Sequence, residues 1–204
     1  MAARFPILIL ALAALCTPVL FWPAWGQTFQ PKPDESARAF EERAAGAPSD
    51  DGVNILPAKW NGRPYLFVDF PAGRKDEDDR DLVALAQMPG GSLRRIFVTT
   101  GEEEGGEATV AAIGFGAPAG ASSDDLIVLL SWPVMHLDVE GTLYDVRLFA
   151  DPGMASPAQL TSLDALAKHF DHDNCDCDRG PGKKEHFPFK TMAAIKAELK
   201  KLKS

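Results

Sequence analysis

From Val53 to Ala150 the chain alternates short apolar-rich stretches with brief polar breaks, and the period of the pattern is that of strands. NILPAKW (54–60) and PYLFVDF (64–70) flank Asn61-Gly62, the dipeptide that most readily takes the positive φ angles of a tight hairpin. DLVALAQM (81–88) and LRRIFVTT (93–100) flank a second turn, PGGS. EATVAAIGF (107–115), DDLIVLLSW (124–132) and TLYDVRLFA (142–150) follow, parted by Gly-, Asp- and Ser-rich loops. About seven strands in succession, with short connections, require antiparallel neighbours, because a parallel pair needs a long crossover. LIVLL (126–130) is apolar at every position, which predicts a central strand covered on both faces.

The period changes near the C-terminus. SPAQLTSLDALAKHF (156–170) reads as a helix, with Ser156 as N-cap, Pro157 at the first position and Gln159 closing a capping box. Leu160, Leu163, Leu166, Ala167 and Phe170 would then form one apolar face. TMAAIKAELKKLKS (191–204) repeats the device with Met192, Ile195, Leu199 and Leu202. The expected fold class is α+β: an antiparallel β-meander of about seven strands with two C-terminal helices packed on it.

The expected organisation has three parts. Residues 1–26 read as a secretory signal peptide: Arg4, an apolar core from Pro6 to Trp22, then Ala24-Trp25-Gly26 with small residues where a signal peptidase reads. Residues 27–51, rich in Pro, Ala and charge, read as a flexible leader or linker with a short helix at 36–43. Residues 52–204 read as a single β-rich domain. After signal cleavage no apolar run is long enough for a transmembrane span, so the expected localisation is periplasmic or extracellular.

Charge narrows the partners. Removing 26 of the 204 residues leaves 178 and takes away Arg4, moving the formal charge from −8 to −9. Nucleic acid, which needs a basic surface, is not an expected partner; an unknown protein or small ligand is. The acidity is uneven, since seven lysines against two glutamates follow Pro181. The basic C-terminal helix either folds back on the acidic body or makes weak contact with anionic surfaces.

The candidate chemistry concentrates in HFDHDNCDCD (169–178). His169, His172, Cys175 and Cys177 form H-x2-H-x2-C-x-C, imidazole and thiolate donors that suit Zn or Cu, with His186 as a further donor. Against a metal stand the short backbone, which leaves little slack for a tetrahedron, and the oxidising compartment, which favours a Cys175–Cys177 disulfide. Thiol exchange is a third reading, but Asp176 and Asp178 would repel the thiolate it needs. The stretch is not an EF-hand loop: counted from Asp171, position five is Cys175 and position twelve is Gly182.

Three other stretches carry less. GFGAPA (114–119) matches G-x-G-x-x-A, but Pro118, Gly120 and SSDD lead into another strand rather than a phosphate-binding helix. The acidic run with Asp76, Glu77, Asp78, Asp79 and Asp81 reads as a solvated turn. His136 and Asp138 share a face if extended and would be the base and orienter of a secreted hydrolase, yet no nucleophile signature accompanies them. The leading reading is an exported β-rich binding or structural protein, more a binder than an enzyme. The alternatives are that hydrolase and an envelope inhibitor or interaction module.

Overall fold

The computed structural model describes residues 26–48, 52–73, 79–101, 108–155, 157–171 and 174–203. The signal-peptide reading, Ser156, His172 and most of the acidic run 74–81 lie outside them. Among the described residues nine strands form two antiparallel sheets, in an α+β fold. The first sheet has the order β1-β5-β4-β3-β2, from β1 (Thr28–Phe29), β2 (Asn54–Trp60), β3 (Arg63–Pro71), β4 (Arg80–Gln87) and β5 (Leu93–Gly101). The second has β6-β7-β8-β9, from β6 (Thr109–Gly116), β7 (Asp125–His136), β8 (Val139–Phe149) and β9 (Cys175–Asp178). All seven anticipated strands are present. Two are added, each too short to show a period: β1, and β9 within the Cys/His segment.

The sheets share an inner core. Trp60, Tyr65, Phe67, Leu82 and Ile96 of the first meet Leu126, Val128, Leu130, Trp132 and Phe149 of the second. Each outer face has its own cover. Leu66, Val68, Val83 and Leu85 lie against Phe40, Ala44 and Ala45 of α1 (Ala37–Ala45). Ile127, Leu129, Val146 and Leu148 lie against Phe170, Phe187, Ile195 and Leu199, the last two on α3 (Met192–Leu199). The result is a four-layer sandwich, helix–sheet–sheet–helix. LIVLL is therefore apolar throughout for the anticipated reason: alternate residues of β7 enter different cores. No helix among the described residues is long and apolar enough to cross a membrane.

The Asn61-Gly62 turn takes φ of 46° and 79° and reaches beyond its own hairpin. Asn61 Oδ1 accepts from the Asp124 backbone N–H at 3.0 Å, its Nδ2 donates to Asp151 at 2.6 Å, and Trp60 Nε1 donates to the Asp124 carbonyl at 2.7 Å. With the Arg63–Asp151 ion pair, these bonds fasten the end of the first sheet to the loops of the second.

Two segments depart from expectation. Residues 27–48, read as leader and linker with a short helix at 36–43, hold that helix as α1 but dock it and β1 on the domain: Ser36 caps the helix, Gly46 ends it at φ 80°, and Phe40 enters the outer core. A single large apolar residue among charges hid this docking face. The expected helix over 156–170 is α-helical only in α2 (Asp164–Ala167), followed by a 3-10 turn over Lys168–Phe170. Residues 158–163 run extended instead. Phe97 N–H donates to Ala158 O and Leu160 N–H to Phe97 O, both at 2.9 Å, and further along Leu163 N–H donates to Leu148 O at 2.8 Å. This strap joins the edge of β5 to the edge of β8. Leu160 enters the inner core, where it is 4% exposed, so tertiary pairing overrides a local helical pattern.

Candidate functional site

β9 positions the Cys/His segment. It pairs with β8 in the register Gly141↔Cys177 and Leu143↔Cys175. Its other side is held by the turn that follows, through Glu185 N–H to Cys177 O at 2.8 Å and Cys177 N–H to Glu185 O at 3.1 Å. Strand alternation sends Cys175 and Cys177 to one face, where they are 3% and 4% exposed. Their sulfur atoms are in close contact and their Cα atoms 5.2 Å apart, within the usual range for a disulfide. Gly141 gives this pair its room: a Cβ there would lie 2.7 Å from Cys177 Cα and closer still to the Asp176 carbonyl oxygen.

Asp176, on the opposite face, is a charge hub. Its Oδ2 accepts from Lys190 Nζ at 2.6 Å and its Oδ1 lies 2.8 Å from His186 Nδ1. The Lys190 bond first, and the His186 contact after it, hold the carboxyl below its ordinary range. His169 turns elsewhere, with Nε2 3.1 Å from Glu198 Oε1 on α3 and its ring edge-on to Phe170. The Glu198 carboxyl is lowered by Lys201 and then by His169. Of the proposed donors, the structure thus brings Cys175 and Cys177 together and directs His169 and His186 to carboxylates. Among the described residues no group of three or more His, Cys, Asp or Glu side chains has the arrangement of a metal site.

His136 and Asp138 sit exposed at the tip of the β7–β8 hairpin, with no hydrogen bond between them among the described residues. The shallow depression beside them is lined by Glu140, Asp178, Gly180 and Pro181, with no Ser, Cys or Lys among the described residues.

A second site has no counterpart in the sequence reading. Where the edges of β5 and β8 approach under the strap, a cleft of about 500 Å³ opens, lined by Thr99, Thr100, Asp145, Val146, Arg147, Gln159, Asp164 and Lys168 among others. Arg147 stitches its floor: Nε donates to Asp145 at 2.6 Å, and Nη1 donates to Thr99 Oγ1 at 2.5 Å and to the Thr100 carbonyl at 2.6 Å. One signal did exist. Asp145 and Arg147 occupy the inward row of β8 between Leu143 and Phe149, both of which pack on the inner core. Charges in such a row mark a place where the core gives way to something polar. No protein-family model, no curated protein and no solved structure matches this chain.

Proposed function

We propose that this chain is an exported, non-enzymatic binding protein whose C-terminal Cys/His segment is a structural staple, a Cys175–Cys177 disulfide closing β9, rather than a metal centre. One observation carries this reading: the contact between two buried sulfurs on a strand hydrogen-bonded along both sides. A metal takes cysteine as thiolate, and an oxidised pair offers none. Disulfides persist outside the cytosol, which agrees with the signal-like N-terminus. A second reading, an envelope interaction module, draws on the β7–β8 tip, where Met135 and Leu137 are 79% and 105% exposed beside His136 and Asp138. Exposed apolar side chains on a projecting hairpin suit a protein partner. Lys200, Lys201 and Lys203 are also exposed, which supports weak contact with anionic surfaces.

The test is performed on protein expressed with its own N-terminus. The mature chain begins at or near Gln27, the unfolded protein shows two thiols only after reduction, and elemental analysis finds no stoichiometric Zn or Cu. Two free thiols with about one equivalent of either metal, lost in Cys175→Ser, would overturn the staple. An intact Met1 in the cytosolic fraction would overturn export.

A further inference from the structure

The chain has three asparagines, and Asn61 is the one followed by glycine. Asparagine is among the thermolabile residues, and a following glycine removes the main hindrance to its loss. With no Cβ on Gly62, the Gly62 nitrogen is free to close on the Asn61 Cγ. In that reaction the Gly62 nitrogen gives its proton to base and bonds to Cγ, and Nδ2 leaves as ammonia. One water then opens the five-membered imide on either side, leaving aspartate or isoaspartate at position 61. Base and water are the only co-reactants.

The fold governs when this happens. Asn61 is exposed, so water and base reach it, but both ends of its amide are held. Nδ2 donates to Asp151 at 2.6 Å and to the Asp124 carbonyl at 2.9 Å, while Oδ1 accepts from the Asp124 N–H at 3.0 Å. Attack on Cγ makes that carbon tetrahedral and swings the amide out of its plane, so these bonds must loosen first. A bond to a charged acceptor such as Asp151 is worth about tenfold or more in such an equilibrium.

The product no longer matches the site. An ionised carboxylate only accepts, so aspartate sets an oxygen where Nδ2 donated, against the Asp151 carboxylate and the Asp124 carbonyl. The corner is already acidic. Burial pushes the Asp125 carboxyl above its ordinary range, and the charges of Asp151 and Asp124 push it further. Arg63 is engaged with Asp151 and the Gly153 carbonyl. Isoaspartate also adds a backbone methylene to a two-residue turn. Trp60, fully buried, would register the change, since its Nε1 donates to the same Asp124 carbonyl.

We propose that Asn61-Gly62 is a deamidation site, held intact while the two sheets are fastened together and, once converted, loosening the seam it fastened. This goes beyond the binding reading and does not depend on it.

The test follows the full mature chain at neutral pH by peptide mass mapping, which reads the replacement of NH2 by OH at position 61. The free peptide Ala-Lys-Trp-Asn-Gly-Arg-Pro-Tyr, residues 58–65, sets the unrestrained rate. Asn61 in the folded chain is expected to convert about tenfold or more slowly than in the peptide, and Asp151→Ala to restore about tenfold of the rate. Leu199→Ala, which weakens the other end of the fold, should speed conversion far less. A folded-chain rate equal to that of the peptide, no effect of Asp151→Ala, or equal effects of the two variants overturns the restraint. The converted protein, separated by its added negative charge, and Asn61→Asp should both exchange the Trp60 indole N–H about tenfold faster than the unconverted chain. Both should also exceed Asn61→Ala, which removes the donor without adding charge. Exchange in Asn61→Asp no faster than in Asn61→Ala overturns the loosening.

Discussion

At the scale of single residues, the most exacting requirement lies in Asp69 and Arg80, two buried charges on the inner row that also holds Phe67 and Leu82. Arg80 grips Asp69 with Nε at 3.0 Å and Nη2 at 2.8 Å, and also donates to the Gly52 carbonyl at 2.7 Å, while Asn54 adds a bond to the carboxylate at 3.2 Å. Removing Asp69 takes the carboxylate away from a buried guanidinium. Asp69→Ala is therefore expected to cost about 3–5 kcal/mol in urea unfolding. A change within error would show that water already reaches the guanidinium. Titration gives a second expectation. Arg43, hydrogen-bonded to Glu35, holds that carboxyl at about 2 against an ordinary 4.5. A carboxylate with a lowered folded pKa stabilises the fold above its unfolded pKa and loses that contribution on acidification. The unfolding midpoint should thus fall as pH drops from about 4.5 towards about 2, and Glu35→Gln should flatten the profile in that window.

At the scale of elements, β9 depends on a residue it does not contain. Because Gly141 stands against Cys177, Gly141→Ala must push β9 off β8. The expected outcome is faster reduction of the Cys175–Cys177 pair by a small thiol, with the first sheet unaffected; an unchanged rate would mean that β9 can shift without opening. Elements differ in how far local sequence specifies them. The seven anticipated strands were legible because each alternates or runs apolar between turn residues, and Asn61-Gly62 fixed one register outright. α3 was legible from Ile195 and Leu199, four apart and both fully buried. α1 was legible as a short helix at 36–43, but its docking was not, because Phe40 is its one large apolar residue and the rest of its buried face is alanine. The strap misled because Leu160, Leu163 and Leu166 have helical spacing, while the bonds that hold 158–163 extended come from Phe97 and Leu148, far away in the chain. The Cys pair was visible as a motif. The seam cleft was not, since it exists only where β5, β8 and the strap meet.

At the scale of the whole molecule, the inner core belongs to both sheets, so neither has a complete interior of its own. Unfolding should accordingly be a single cooperative event. Trp60 and Trp132, one from each sheet and both in that core, should report the same midpoint as far-UV circular dichroism. Separate transitions by the two probes would reveal sheets that fold independently. The strap adds an asymmetry in time. Every strand of the first sheet and three of the second precede residue 156, yet the segment that covers β5 and β8 comes after them. A chain emerging N-terminus first therefore passes through a stage with its strands present and two edges still able to template pairing with a neighbour. A fragment ending at Ala155 is that stage made permanent, and light scattering should find it self-associating where the full chain stays dispersed. Residues 157–163 thus close, after the strands they cover, edges of β5 and β8 that would otherwise stand open.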